Sequence, residues 1–172
     1  MLPPLKKRSK NLNHTVEQLI EWMASFVEQP NALLGNWAPC PYARQARVNN
    51  KIAFVESHPR ELVNTVNKSL VLLDDKDVVI VMFDHTQVDH VVLSSLVKSY
   101  NNLLMPHDYV ILEDHPDDVE YVNGVKMNYG HCGLLVVQKL SKLNAAADRL
   151  RDQGYYQHWD KAALDQVVNW RK

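Results

Sequence analysis

A chain of 172 residues is long enough for one domain with a hydrophobic core and too short to divide comfortably into two. Its 19 basic and 20 acidic residues leave a net charge of -1, which argues against a broad cationic surface for nucleic acid, and no run of about 18 apolar residues offers a membrane span. Two cysteines make neither a disulfide framework nor a zinc-finger spacing, so the expectation is a soluble, cytoplasmic protein with reduced thiols and with neither nucleic acid nor membrane as partner.

Residues 1-12 read as a flexible basic tail ahead of a single domain spanning 13-172. Thr15 with Gln18 resembles a capping box, after which Val16, Leu19, Ile20, Met23, Phe26 and Val27 recur at helical spacing until Pro30. The Gly, Pro and Asn content of LGNWAPCPYARQARVNN predicts a loop. IAFVE reads as a short strand, and Pro59 opens a helix carrying Leu62, Val63, Val66, Leu70 and Leu73. DVVIVMF is a β-branched run expected of a strand covered on both faces. Thr86 is placed to cap a helix carrying Val88, Val91, Val92, Leu96, Tyr100, Leu103 and Leu104, which stops near Pro106. DYVILE is a third strand, and two helical crossovers between three strands imply parallel neighbours.

Beyond His115, the stretch Pro116, Asp117, Asp118 and Glu120 suits a short helix stopped at Gly124, whereas Asn123-Gly124 equally suits a tight hairpin. GLLVVQKL is a fourth strand, Ser141 begins a helix that Gly154 closes, and Asp160 begins the last helix. Tyr155, Tyr156, His158 and Trp159 form an aromatic link between them. The predicted fold is a single α/β domain with a small, mainly parallel but mixed sheet of about four strands flanked by helices.

Two of these strands finish alike, in VESHP at residues 55–59 and LEDHP at 112–116, while the strand between them runs into Asp84 and His85. Ligand crevices of parallel sheets lie beyond the carboxyl ends of the strands, which predicts that these acids and imidazoles gather at one rim. An antiparallel fourth strand brings His131 and Cys132 to the same rim. Three imidazoles, or two with a carboxylate, are the ligand sets of zinc and non-haem iron centres with an open position. The first expectation is therefore a metal-dependent enzyme acting on a small polar or anionic substrate. His58, His85, His115 and His131 are its candidate ligands to iron or zinc, and Glu56, Asp84 and Glu113 complete the shell or serve as base. Mixed histidine and carboxylate ligands favour oxidative iron chemistry over zinc hydrolysis. The competing expectation is a non-catalytic binding or assembly module in which the histidines before proline are helix caps.

CPYA at residues 40–43 is similar to the Cys-Pro-Tyr-Cys of glutaredoxins, but it follows a helix rather than a strand, and Ala43 replaces the second thiol. Thiol redox chemistry at Cys40 is the third expectation, against a structural cysteine. Arg44 and Arg47 in the same loop, with Tyr42, Tyr121 and Tyr129, are candidate substrate-binding groups if the loop folds over the sheet edge. The order EQLIEWMASFVE, APCPYAR, VILEDHP and LLVVQKLS resembles a family of small bacterial proteins of unknown function. That family begins with an amphipathic helix, continues into a Leu-Cys-Pro-Phe-Ala loop and later carries a strand ending in His-Pro. The sequence departs from that order at Trp37-Ala38-Pro39 and at Asp117-Asp118. The resemblance implies a shared fold and importance for Cys40, Pro41 and His115, and no reaction.

Overall fold

The structure, a computed structural model, describes residues 12–172, with side chains from Val16 onward. The basic tail thus falls outside the described residues up to Leu12, where helix α1 (Leu12–Trp22) already runs. Thr15 therefore lies inside the helix, and its side chain and that of His14 lie outside the described residues. The apolar stripe continues through a π-helical turn at Met23–Val27, and a short helix α2 (Ala43–Val48) follows the Pro-rich loop. Then come β1 (Ile52–Glu56), α3 (Leu62–Ser69), β2 (Val78–Phe83), α4 (His90–Leu104) and β3 (Tyr109–Asp114). A hairpin of β4 (Tyr121–Val122) and β5 (Val125–Lys126) leads to β6 (Gly133–Lys139), α5 (Leu140–Asp152) and α6 (Lys161–Val167). Asn123 and Gly124 both have positive φ, the backbone that a two-residue hairpin turn demands, so the hairpin alternative is the one the chain adopts.

The main sheet has the order β1-β2-β6-β3. β1 and β2 pair in parallel, whereas β6 runs antiparallel to both β2 and β3. The three strands expected to be co-directional are so, but β2 and β3 are not neighbours, because the last strand inserts between them. Hydrophobic alternation then divides the core. Val79, Val81, Ile111, Leu135 and Val137 face α3 and α4, and Ile52, Ile80, Met82 and Leu134 face α1, the π turn and α2. Gly133 lies opposite Phe83, whose ring fills the space where a Cβ on residue 133 would go, so the small residue lets the aromatic cross the strand.

Polar groups fix the helices to this sheet. Buried Asn101 on α4 donates to the Ile111 carbonyl at 2.9 Å and accepts from its N–H at 2.8 Å, satisfying both outward backbone groups of an edge strand. Asp108 accepts from the Ser141 N–H and hydroxyl, each at 2.7 Å, and so caps α5 from the start of β3. The start of α4 differs from expectation: Asp89, not Thr86, is its N-cap, accepting from the N–H groups of Val91 and Val92. Asp160 caps α6, as its position before the helix predicts.

Candidate functional site

The three co-directional strands end in one shared device. Nδ1 of His58 accepts from the Arg60 N–H at 3.2 Å, Oδ1 of Asp84 from the Thr86 N–H at 3.0 Å, and Nδ1 of His115 from the Asp117 N–H at 3.1 Å. An imidazole Nδ1 stands as many bonds from Cα as an aspartate Oδ1, so histidine closes the same two-residue turn that aspartate closes. Proline suits the intervening position because it has no N–H to leave unpaired and its φ is fixed for a turn or first helical residue. The repeated Glu-x-His-Pro string is thus turn chemistry at both corners: His58 caps the helical turn Pro59–Glu61, whereas His115 closes a turn that no helix follows.

The two histidines differ in their second nitrogen. His115 is 3 % exposed and its Nε2 donates to the Val88 carbonyl at 2.7 Å, the tautomer that leaves Nδ1 free to accept. Both nitrogens are therefore engaged by backbone. Its ring meets the rings of His85 and His90 with centroids 5.6 and 6.0 Å away. His58 is exposed. Among the described residues no group of three or more His, Cys, Asp or Glu side chains is arranged to hold a metal ion. The sheet parity explains this: Glu56 alternates with Ile52 and Phe54 on the α1 side, whereas Glu113 alternates with Ile111 on the α4 side, so the expected rim divides between two faces.

Four of the expected polar groups do converge. A cleft of about 360 Å³ at the ends of β1 and β2 is lined by Glu56, Asp84, His85 and His131, with Gln18, Thr86 and Cys132 beside them and Met82 and Phe83 at its floor. Hydrogen bonds from the Thr86 hydroxyl and the Gln87 amide lower Asp84 from its ordinary value, which favours the ionised form. Burial, with Asp114 nearby, pushes the Cys132 thiol up to about 12, which keeps it protonated. Tyr129 lies behind His131, with centroids 5.1 Å apart, in the core with Trp22 rather than on the cleft wall. Its hydroxyl has no hydrogen-bond partner among the described residues.

The acids after β3 form a second neighbourhood, organised by buried Asn128, a residue that no motif in the sequence singled out. Its amide donates to Asp114 at 2.8 Å and to the Asp118 carbonyl at 2.9 Å, and its oxygen accepts from the Glu120 N–H at 2.6 Å. Burial pushes Glu120 up to about 7, helped by Asp114, Asp118 and Glu113. Glu113 and Asp114 are raised for the same first reason.

The APCPYAR loop does not reach the cleft. It packs against the aromatic link, where the Tyr155 hydroxyl donates to the Pro39 carbonyl at 2.5 Å and Tyr155 meets Trp37 edge-on. Tyr42 meets Arg149 instead of a substrate pocket, and Arg47 makes a two-point ion pair with Glu28 at 2.6 and 2.9 Å. Arg44 is exposed and makes no ion pair among the described residues. Cys40 is an exposed residue, yet desolvation of its sulfur outweighs the N–H groups of Tyr42 and Ala43 and raises the thiol, opposite to the direction a nucleophile needs. Compared with known proteins, the chain matches no family model, no curated sequence and no solved structure.

Proposed function

We propose that the cleft at the ends of β1 and β2 is the functional site and that it takes a small polar ligand, neutral or cationic. One observation carries this reading: the wall holds two carboxylates, Glu56 and Asp84, and two imidazoles, His85 and His131, with no lysine or arginine. An anion would meet like charge there, whereas an amine or a metal cation would gain two opposite charges in a recess that limits screening. Of the small polar or anionic substrate expected from the sequence, this reading keeps the polar class, since neither Arg44 nor Arg47 lines the cleft.

Metal-dependent catalysis is the second reading, favoured by the pair of imidazoles on one wall. His85, His131 and Glu56 would be the ligands, with Asp84 able to take a proton from bound water. This reading requires those side chains to turn toward a common centre when an ion enters. Iron and zinc suit the same set, and oxidation or hydrolysis would then follow from the metal.

A thermal-shift comparison tests the charge preference. Putrescine, Zn²⁺, Mn²⁺, phosphate and citrate are titrated against the wild type, Glu56→Gln and His131→Ala. The expected result is a rise in Tm with an amine or a divalent ion that Glu56→Gln reduces. Stabilisation by phosphate or citrate alone, or by cations without any effect of Glu56→Gln, would overturn the reading.

A further inference from the structure

The polar groups on the cleft wall are not equally available to a ligand. Asp84 already accepts three hydrogen bonds, from the Thr86 N–H at 3.0 Å, the Thr86 hydroxyl at 2.7 Å and the Gln87 amide at 2.7 Å, out of about four that a carboxylate takes. The Thr86 hydroxyl is spent on that turn, and the Cys132 thiol, pushed up to about 12 by burial, brings no charge. Glu56, His85 and His131 differ. Among the described residues their side chains make no hydrogen bond or ion pair, and the two imidazoles meet only the rings of His115 and Tyr129.

Granted that the cleft takes a neutral or cationic polar ligand, on which this step rests, we propose that the ligand is a small hydroxylated amine, of the amino alcohol or amino sugar class. Its ammonium sits on Glu56 and its hydroxyls on His85 and His131. Each imidazole nitrogen is either an N–H donor or a bare acceptor, and a hydroxyl serves both. An ammonium only donates and an ionised carboxylate only accepts, so hydroxyls are the groups that match two imidazoles whichever tautomer each adopts. One uncommitted carboxylate calls for one positive charge. A second ammonium would find at Asp84 little acceptor capacity left.

Shape points the same way. A volume of about 360 Å³ lies near the lower end of the roughly 300–1,000 Å³ of ligand pockets, room for a molecule the size of one sugar. Met82 and Phe83 close the floor but are only 2 and 3 % exposed, so they offer almost no apolar face on which an aromatic or alkyl body could rest. The exposed positions of Glu56 and His131 keep the contacts partly hydrated, so each adds modestly: about fivefold in affinity for the ion pair and about tenfold for the hydroxyl contacts together.

NMR titration of the full chain, read at the ring signals of His85 and His131, tests the proposal with probes that share one carbon skeleton. Glucamine carries both the ammonium and the hydroxyls, sorbitol lacks the charge, hexylamine lacks the hydroxyls and gluconate reverses the charge. Glucamine is expected to bind about fivefold tighter than sorbitol and about tenfold tighter than hexylamine, with no response to gluconate. Glu56→Gln brings glucamine down to the level of sorbitol, and His131→Ala weakens glucamine and sorbitol alike. Hexylamine binding as tightly as glucamine would overturn the proposal while the cationic cleft stands, and sorbitol matching glucamine would overturn the ammonium on Glu56. A response to Zn²⁺ alone would overturn the amine and leave the metal reading; silence toward every probe and Zn²⁺ would remove the cleft reading as well. Since the ranking is read on the wild type, misfolding of a variant does not remove the test.

Discussion

The corner after β1 and the corner after β3 share three letters and one kind of hydrogen bond, yet they have different duties. At the first, His58 uses Nδ1 to close the turn and leaves the rest of its ring in solvent. At the second, His115 closes the same turn, then inserts under the approach to α4 and holds the Val88 carbonyl with its other nitrogen. Glu56 reaches the cleft while Glu113 turns to the opposite face, toward Ser94. The motif encodes the turn; strand parity and the covering layer decide what surrounds it.

Truncation should separate the two corners most sharply. His115→Ala leaves the part-buried Val88 carbonyl without its donor, removes the acceptor that closes the Asp117 turn and opens a cavity, and is expected to cost about 3 kcal/mol. His58→Ala loses an exposed cap and is expected to cost about 0.5–1 kcal/mol, as read by urea unfolding of both variants. Equal costs would mean that burial does not distinguish the corners. His115→Asn, which keeps an acceptor for the Asp117 N–H but does not reach Val88, should fall between, at about 1–2 kcal/mol.

The pH dependence sharpens the same contrast, because the acid cluster accompanies β3 alone. Glu120 titrates at about 7 in the folded chain against an ordinary 4.5, so the folded state keeps a proton that the unfolded chain releases. Its contribution to stability is complete below about pH 4.5 and lost as pH rises through about 7. Glu113 and Asp114, raised by burial, act with the same sign, and lowered Asp84 acts with the opposite one. Glu120→Gln should therefore flatten the fall in unfolding free energy between about pH 5 and 7.5, as read by urea unfolding across that range. The smallest effect concerns the thiols. Alkylation of either cysteine should remain slow at neutral pH and accelerate only above the ordinary thiol range; a fast phase at pH 7 would restore Cys40 as a candidate nucleophile.

Much of this was legible in the sequence where period and punctuation agree. The β-branched run of β2, Pro59 at a helix start and Asp160 as a cap each carry one dominant local signal, and each element formed where that signal lies. The insertion of β6 between β2 and β3 was not legible, since strand order depends on long-range pairing that no local pattern records. The histidines were ambiguous for a specific reason. An imidazole at a strand end can serve as a cap or as a metal ligand, and the partners of its two nitrogens tell the roles apart. Tyr155, Tyr156 and Trp159 announced a contact without its target, which proved to be the Pro39 loop more than a hundred residues away.

The account rests on His115 being a neutral imidazole held at both nitrogens, and imidazole ¹H–¹⁵N correlation spectra recorded with and without Zn²⁺ test that directly. The predicted spectrum shows His115 with a protonated Nε2 and a bare Nδ1, unchanged when Zn²⁺ is added, while any response falls on His85 and His131. A proton on His115 Nδ1, or Zn²⁺ binding that moves His58, His85 and His115 together, would contradict it.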